Sequence, residues 1–535
     1  MKIFNIKFNH GKLYYLGLIL TAICLPLSKF ALSVSMIVLI SNWLLELDFK
    51  RKWEEIKANK SILIFTGIFI VHLIWLIHTS NFKYAFHDLG NKAILILYPI
   101  IIGTSKKLSI RELKRILIWF SISVVVSTII STLILVGIIE YSIQSIRNIS
   151  LFMSHIRLSL LVNISIFSLG YILFSGRFEN KNLEIIIYAI FIVWLIIFLF
   201  LLKSFTGLGV FIITFFLVLG FVSFKIKNLI PRLFLQLGLI TIFLLIASFL
   251  THSISKFYTK EYIDFERLDK YTESGNEYEV PKVNEVLENG NHVWVYVCPK
   301  ELKQEWSKLS SIPYEGLDKK EQEIQYTILR YLASKGYRKD SAGLSKLSQN
   351  DIKNIENGIA NYIFEDKYAL YPKIYEVLWQ IDRYRKGYPV LGSSVTLRLV
   401  FFKTAIDIID NNFWFGVGTG DVQDAFDMQY ELNKSQLPDQ NRLRAHNQYI
   451  TFFLTFGFVG FILLFFSMLY PVFKLKGYKN YLFVVVLVIA LLSFINEDTL
   501  ETQIGITFFT FFYSLFLFGS KIGFESEKDC KQKIK

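Results

Sequence analysis

His446 and Asn447 stand where a long polar stretch meets an apolar run. Histidine, with an ordinary pKa near 6.5, is the natural side chain for moving a proton near neutral pH. The asparagine beside it is suited to orient the ring or hold an acceptor. Nine residues separate this pair from Gly457, and two more separate Gly457 from Gly460. On one continuous helix, the steps from His446 to Gly457 rise about 16 Å in three turns and put both on nearly one face. The two glycines would let another backbone or a lipid chain approach closely. Arginine chemistry comes from two other places. Arg157 follows Ser154-His155-Ile156 at the head of an apolar run. Arg398 lies early in 393–410, an amphipathic helix with Leu397, Phe401, Ala405 and Ile408 on one face. Guanidinium forks match phosphate oxygens and stay charged at any working pH.

Other charged residues lie near these groups in the sequence. Lys203 opens Lys203-Ser204-Phe205-Thr206-Gly207, between two apolar runs. Glu497, Asp498 and Glu501 precede the last apolar run, and carboxylates at a membrane edge are costly unless hydrated or paired. Arg442 reads as a headgroup anchor, and Arg444 as either that or a phosphate ligand. The glycine-rich stretch 416–421, GVGTGD, follows a helix rather than a strand and lacks the Lys-Ser/Thr of a phosphate loop. It reads as a tight turn packed at the membrane surface. No His or Cys cluster has metal-ligand spacing, so no metal and no cofactor is expected.

The elements that must position these groups are membrane helices. The chain has 535 residues, 53% hydrophobic and 16% aromatic, and its apolar runs approach the roughly 20 residues that span a bilayer. The pattern predicts an all-α polytopic protein with about twelve spans, roughly 12–28, 30–46, 61–78, 91–104, 113–138, 156–175, 183–202, 206–224, 229–250, 447–473, 480–496 and 502–519. Lys and Arg gather at both termini and on the even-numbered loops. That asymmetry predicts cytoplasmic termini and an external 251–445 region. It also accounts for the net charge of +14 without a nucleic-acid partner. The domains expected are 1–250 (nine spans), 251–445 (an external insert between spans nine and ten), 446–524 (three spans) and a disordered tail, 525–535. Within the insert, 293–298 reads as a short strand after the Glu288–Asn291 turn, and 319–335 and 349–365 read as helices, the second capped by Ser348 with Asp351. Cys24, Cys298 and Cys530 fall in three compartments, so no disulfide is expected.

The spacing His446-Asn447, nine residues, Gly457, two residues, Gly460 resembles the signature of the O-antigen ligase family. The run from Arg398 through GVGTGD to His446 resembles that family's external loop. Ser154–Arg157 and the stretch Asn496–Gly505 resemble two further family segments, and Lys203–Gly207 a third, with Phe205 standing where relatives carry arginine. The resemblance implies a membrane glycosyltransferase of the bacterial inner membrane, its active site facing the periplasm. It implies a polyprenyl diphosphate-linked glycan as donor and a glycolipid or glycan, such as lipid A–core, as acceptor. It further implies transfer without a metal, His446 as the catalytic residue, Arg157, Arg398 and Lys203 on the donor diphosphate, and Asn447, Glu497 and Glu501 as acceptor-binding or orienting groups. A polysaccharide polymerase of the same superfamily is the nearest alternative. A transporter or flippase is a more distant one, since it would place ionisable groups at mid-membrane. Membrane lipid is an expected partner, and the oligomeric state is open.

Overall fold

The computed structural model describes residues 9–141, 146–176, 181–202, 204–224, 226–280, 286–366, 370–387, 394–435 and 437–520. The expected tail, 525–535, lies outside them. The described residues are mostly helical and form two compact units. One comprises Met1–Lys227 with Arg398–Lys535, the other Asn228–Leu397. Cys24 and Cys298 are free thiols.

Among the described residues, eight helices are long and apolar enough to cross a membrane, and a pair bent by 105°, Lys29–Leu45 with Phe49–Ala58, would make a ninth. The other segments expected as spans also form helices, but His10–Cys24, Tyr481–Ser493 and Gln503–Leu517 have only 15, 13 and 15 residues. At 1.5 Å per residue these rise roughly 20–22 Å, less than a hydrocarbon core of ~30 Å. Residues of all three pack into the core of the unit. Gln503–Leu517 is buried from Ile504 to Phe516 and forms the centre of its unit. Phe65 stacks on Tyr513 at 4.2 Å and Phe120 meets Phe512 edge-on at 5.0 Å. By contrast, Leu229–Tyr258 is apolar on nearly all sides and almost wholly exposed, as a lipid-facing helix should be.

Helix Gln448–Lys474 is not continuous. Gly457 adopts φ 60° and ψ −170° and breaks it. The break frees backbone groups, and the loop after helix Ser394–Asn411 takes them up. Val417 and Gly418 donate to the carbonyls of Leu454 and Thr455 at 2.9 and 3.0 Å. Phe458 and Val459 donate to the carbonyls of Phe413 and Trp414 at 2.8 and 3.2 Å. A Cβ on Gly457 would lie 2.3 Å from Phe415 N, and one on Gly416 2.4 Å from Thr455 O. Gly460, one turn on, faces the Trp75 ring. The close approach expected at these glycines is therefore that of another backbone and an indole. The expectation that His446 and Gly457 share one helix face is overturned. The helix begins at Gln448, His446 lies outside it at φ 48°, and the break resets the rotation.

The same docking packs the glycine-rich turn against the end of helix Ser61–Ile74 and the residues that follow it. Trp75 Nε1 donates to Phe415 O at 2.5 Å and Thr419 Oγ1 to His72 O at 2.7 Å. Asp421 accepts from the backbone N–H groups of Ser80 and Asn81 at 2.7 and 2.6 Å.

In the Asn228–Leu397 unit, helix Leu229–Tyr258 packs on Leu370–Arg385. The unit boundary therefore includes the apolar helix, whereas a division by polarity starts at 251. The Asn289-Gly290 turn forms as read, but its hairpin pairs Leu287–Glu288 with Asn291–His292. The strand expected at 293–298 is absent. Val293 and Val297 are buried in a small helical core instead, and Tyr296 takes φ 57°, which interrupts an extended run. The two expected helices appear in shorter form, Ile324–Ser334 and Gln349–Glu356, the latter with the Ser348–Asp351 capping box in place.

Gly457→Ala should lower the thermal midpoint of the detergent-solubilised protein, because it strains a left-handed residue and expels the 413–418 loop. A cost of about 3 kcal/mol or more is expected. Gly220→Ala, at a helical site with open space around it, is the control and should be neutral or slightly stabilising. Equal midpoints for both variants would contradict the account.

Candidate functional site

Helix starts and one loop bring the chemistry together. Ser154 caps helix His155–Ser175 by accepting the Arg157 N–H at 3.4 Å, which sets Arg157 in the first turn. Asn447 caps Gln448–Lys474, its Oδ1 accepting from Ile450 N at 3.0 Å while its Nδ2 donates to Ile495 O at 2.9 Å. That second bond ties the cap to the loop that carries Glu497, Asp498 and Glu501. Gln448 strengthens the tie. Its backbone N–H donates to Phe494 O at 2.8 Å. Its side chain accepts from Leu500 N at 2.7 Å and donates to Glu501 Oε1 at 3.1 Å.

The three carboxylates then separate into three environments. Glu501 is clamped, because Lys92 Nζ lies 2.9 Å from its Oε2 and 2.6 Å from Asp88 Oδ2. Burial pushes the Glu501 pKa up, but Lys92 and Gln448 together outweigh it and hold the group well below the usual carboxylate range. Asp498 accepts from Thr451 Oγ1 at 2.7 Å, and burial lifts its pKa to about 6. Glu497 faces Arg157 at a long 3.4 Å, Nη2 to Oε1, and burial raises its pKa against the pull of Arg157 and His446. Arg157 Nε is buried and makes no hydrogen bond.

His446 completes the cluster. Its ring centroid lies 6.0 Å from that of Phe401 on helix Ser394–Asn411. Burial lowers its pKa; Glu497 opposes the shift, and Arg398 and Arg157 add to it. Arg157, Arg398, His446 and Glu497 are thus within electrostatic reach of one another, although the two arginines lie far apart in the chain. The result is an imidazole biased toward its neutral form, beside two arginines and a carboxylate in a long contact.

The remaining expected residues are placed differently. Lys203 lies outside the described residues. Its neighbours serve packing: Ser204 caps helix Phe205–Ser223, and Asn163 Nδ2 donates to Gly207 O at 3.0 Å. Arg442 pairs with Glu431 and Asp439. Arg444 donates to Gln423 Oε1 at 3.1 Å and covers the Tyr84 ring at 5.0 Å. Lys92, Asp88, Gln448 and Thr451 escaped the sequence reading. The signal available for two of them was an Asp and a Lys four residues apart at the head of an apolar run, a spacing that allows a pair on one helix face. No group of three or more His, Cys, Asp or Glu among the described residues is arranged to hold a metal ion.

Removing the charge of Lys92 leaves two buried carboxylates without their cation. Lys92→Met should therefore destabilise the fold by about 3–5 kcal/mol, and Asp88→Asn with Glu501→Gln in the same chain should recover much of the loss. Chemical unfolding in detergent measures both. A change under about 1 kcal/mol in Lys92→Met would mean that the triad does not hold the loop.

No curated protein matches the chain. Residues 380–465 match the family model described as O-Antigen ligase. The matched segment contains Arg398, the glycine-rich turn, His446, Asn447, Gly457 and Gly460, while Arg157, Lys92 and Glu497–Glu501 lie beyond it. Through this segment, the chain is similar to the O-antigen ligase family.

Proposed function

We propose that the protein is a glycan ligase that moves a polysaccharide from a polyprenyl diphosphate carrier to an acceptor such as lipid A–core. In this reading it lies in the inner membrane with both termini cytoplasmic and works on the periplasmic face without a metal. The observation that carries the proposal is the cluster of Arg157, Arg398, His446 and Glu497 at the head of the broken span.

The acceptor hydroxyl attacks the anomeric carbon of the donor sugar, and the bond from that carbon to the diphosphate oxygen breaks. The electron pair departs on the diphosphate, where Arg157 and Arg398 stabilise the growing charge. Arg157 suits this role because its contact with Glu497 is long and its Nε has no partner. The hydroxyl proton passes to His446, and Glu497 stabilises the imidazolium that results. Direct displacement inverts the anomeric carbon. Lys203, between its two apolar runs, is a third candidate cation for the diphosphate. Asn447 and Glu501 act by fixing the loop that presents Glu497.

With purified protein, lipid-linked glycan and acceptor, His446→Ala should cut transfer by about 10²–10⁴-fold while donor binding persists. A base must be neutral, so activity should rise with pH through the His446 pKa and then level off. Because burial lowers that pKa, the midpoint should lie below the ordinary value of about 6.5. Glu497→Gln in parallel identifies any acid limb owed to the carboxylate. Transfer at the wild-type rate by His446→Ala, or activity that falls as pH rises through this range, would defeat the assignment.

A further inference from the structure

The Asn228–Leu397 unit contains a cavity of about 350 Å³ that the transfer chemistry leaves unused. It lies at the end of the long apolar helix, where Phe257 and Tyr258 meet the Leu287–Gly290 hairpin and helix Leu370–Arg385. The volume falls in the range of small-ligand sites. Most of its lining, from Phe257 to Trp379, precedes the matched family segment.

The lining is mixed in a specific way. Arg330 donates its Nε to Glu288 Oε1 at 2.7 Å, and Asn361 Nδ2 holds Glu288 Oε2 at 2.7 Å. Glu288 is buried and fully engaged, so it fixes the plane of the guanidinium. The Nη edge of that fork is left for an oxyanion with two oxygens. Lys260, Arg383 and Lys386 add positive charge, Arg383 lying over the Trp379 ring at 4.8 Å. Against these stands Asp382, paired with Lys386 at 2.9 Å. A bare phosphate makes no use of the acceptor lone pairs that Asp382 retains. A sugar does, since its hydroxyls need acceptors as well as donors and its C–H faces pack on rings such as Tyr375 and Trp379.

We infer that this cavity binds an acidic saccharide, a sugar unit bearing a carboxylate or phosphate, with Arg330 on the oxyanion. The inference rests on the glycan-handling function proposed above and adds to it a charge preference for the glycan.

The test is calorimetric titration of the full-length protein in detergent with oligogalacturonate, with a neutral oligosaccharide of equal length, and with inorganic phosphate. Oligogalacturonate should bind about tenfold or more tightly than the neutral chain, and should weaken with added salt. Arg330→Lys keeps the charge and the Glu288 pair but loses the fork, and should reduce that preference about tenfold at an unchanged thermal midpoint. Lys386→Gln, at an exposed rim position, should weaken binding less and guards against a folding artefact. Equal affinity for acidic and neutral chains, no binding of either, or an unaltered preference in Arg330→Lys would overturn the inference. So would loss of anionic-lipid vesicle binding, rather than saccharide binding, in the same variant. Saccharide binding without glycan transfer would instead sink the ligase reading and leave the cavity assignment standing.

Discussion

A spanning helix cannot be broken in hydrocarbon unless something else satisfies the backbone groups that the break releases. Gly457 breaks helix Gln448–Lys474 about 14 Å beyond its first residue. Four backbone hydrogen bonds with the 413–418 loop repair it. Because that loop joins helix Ser394–Asn411 to the chain leading back to His446, the repair also holds the Arg398 helix beside the His446 corner. The glycines at 416 and 457 are required because each brings backbone to within a distance that any Cβ would block. What the sequence presents as a spacing between a histidine and two glycines is, in the folded chain, a docking joint.

Electrostatics divide the site into a fixed part and a loose part. Lys92 with Asp88 and Glu501 is buried and closely paired, and with Gln448 it fixes the loop Asn496–Thr502. Arg157 and Glu497 are a longer, weaker pair on the same loop. Such an arrangement keeps the acting groups near one another while leaving the Arg157 fork incompletely used. A cation fully committed to a carboxylate would have to break that bond to receive a phosphate.

The sequence offers residue types suited to the proposed chemistry but not the geometry that brings them together. The histidine at the polar-to-apolar junction suggests proton transfer, and the guanidinium forks of Arg157 and Arg398 suggest anion binding. Their meeting could not be read, since it depends on tertiary contacts across hundreds of residues. Hydropathy found the helices but could not separate the lipid-facing Leu229–Tyr258 from the protein-buried Gln503–Leu517, because both are apolar on every side. The break at Gly457 was hidden for a related reason: a glycine is compatible with a helix, and only the partner loop reveals that it leaves one. Lys92 gives little signal in the sequence, since a single lysine at a span boundary resembles a snorkelling side chain, whereas here it is buried between two carboxylates.

The central claim is that the guanidinium forks of Arg157 and Arg398 receive the departing diphosphate. Its most direct test is the rate at which purified protein releases polyprenyl diphosphate from a lipid-linked glycan, compared among wild type, Arg157→Lys and Arg398→Lys at equal folded amounts. The account predicts that each lysine variant, with charge kept and fork lost, releases the carrier about tenfold or more slowly at saturating donor. Release at the wild-type rate by both variants would contradict it.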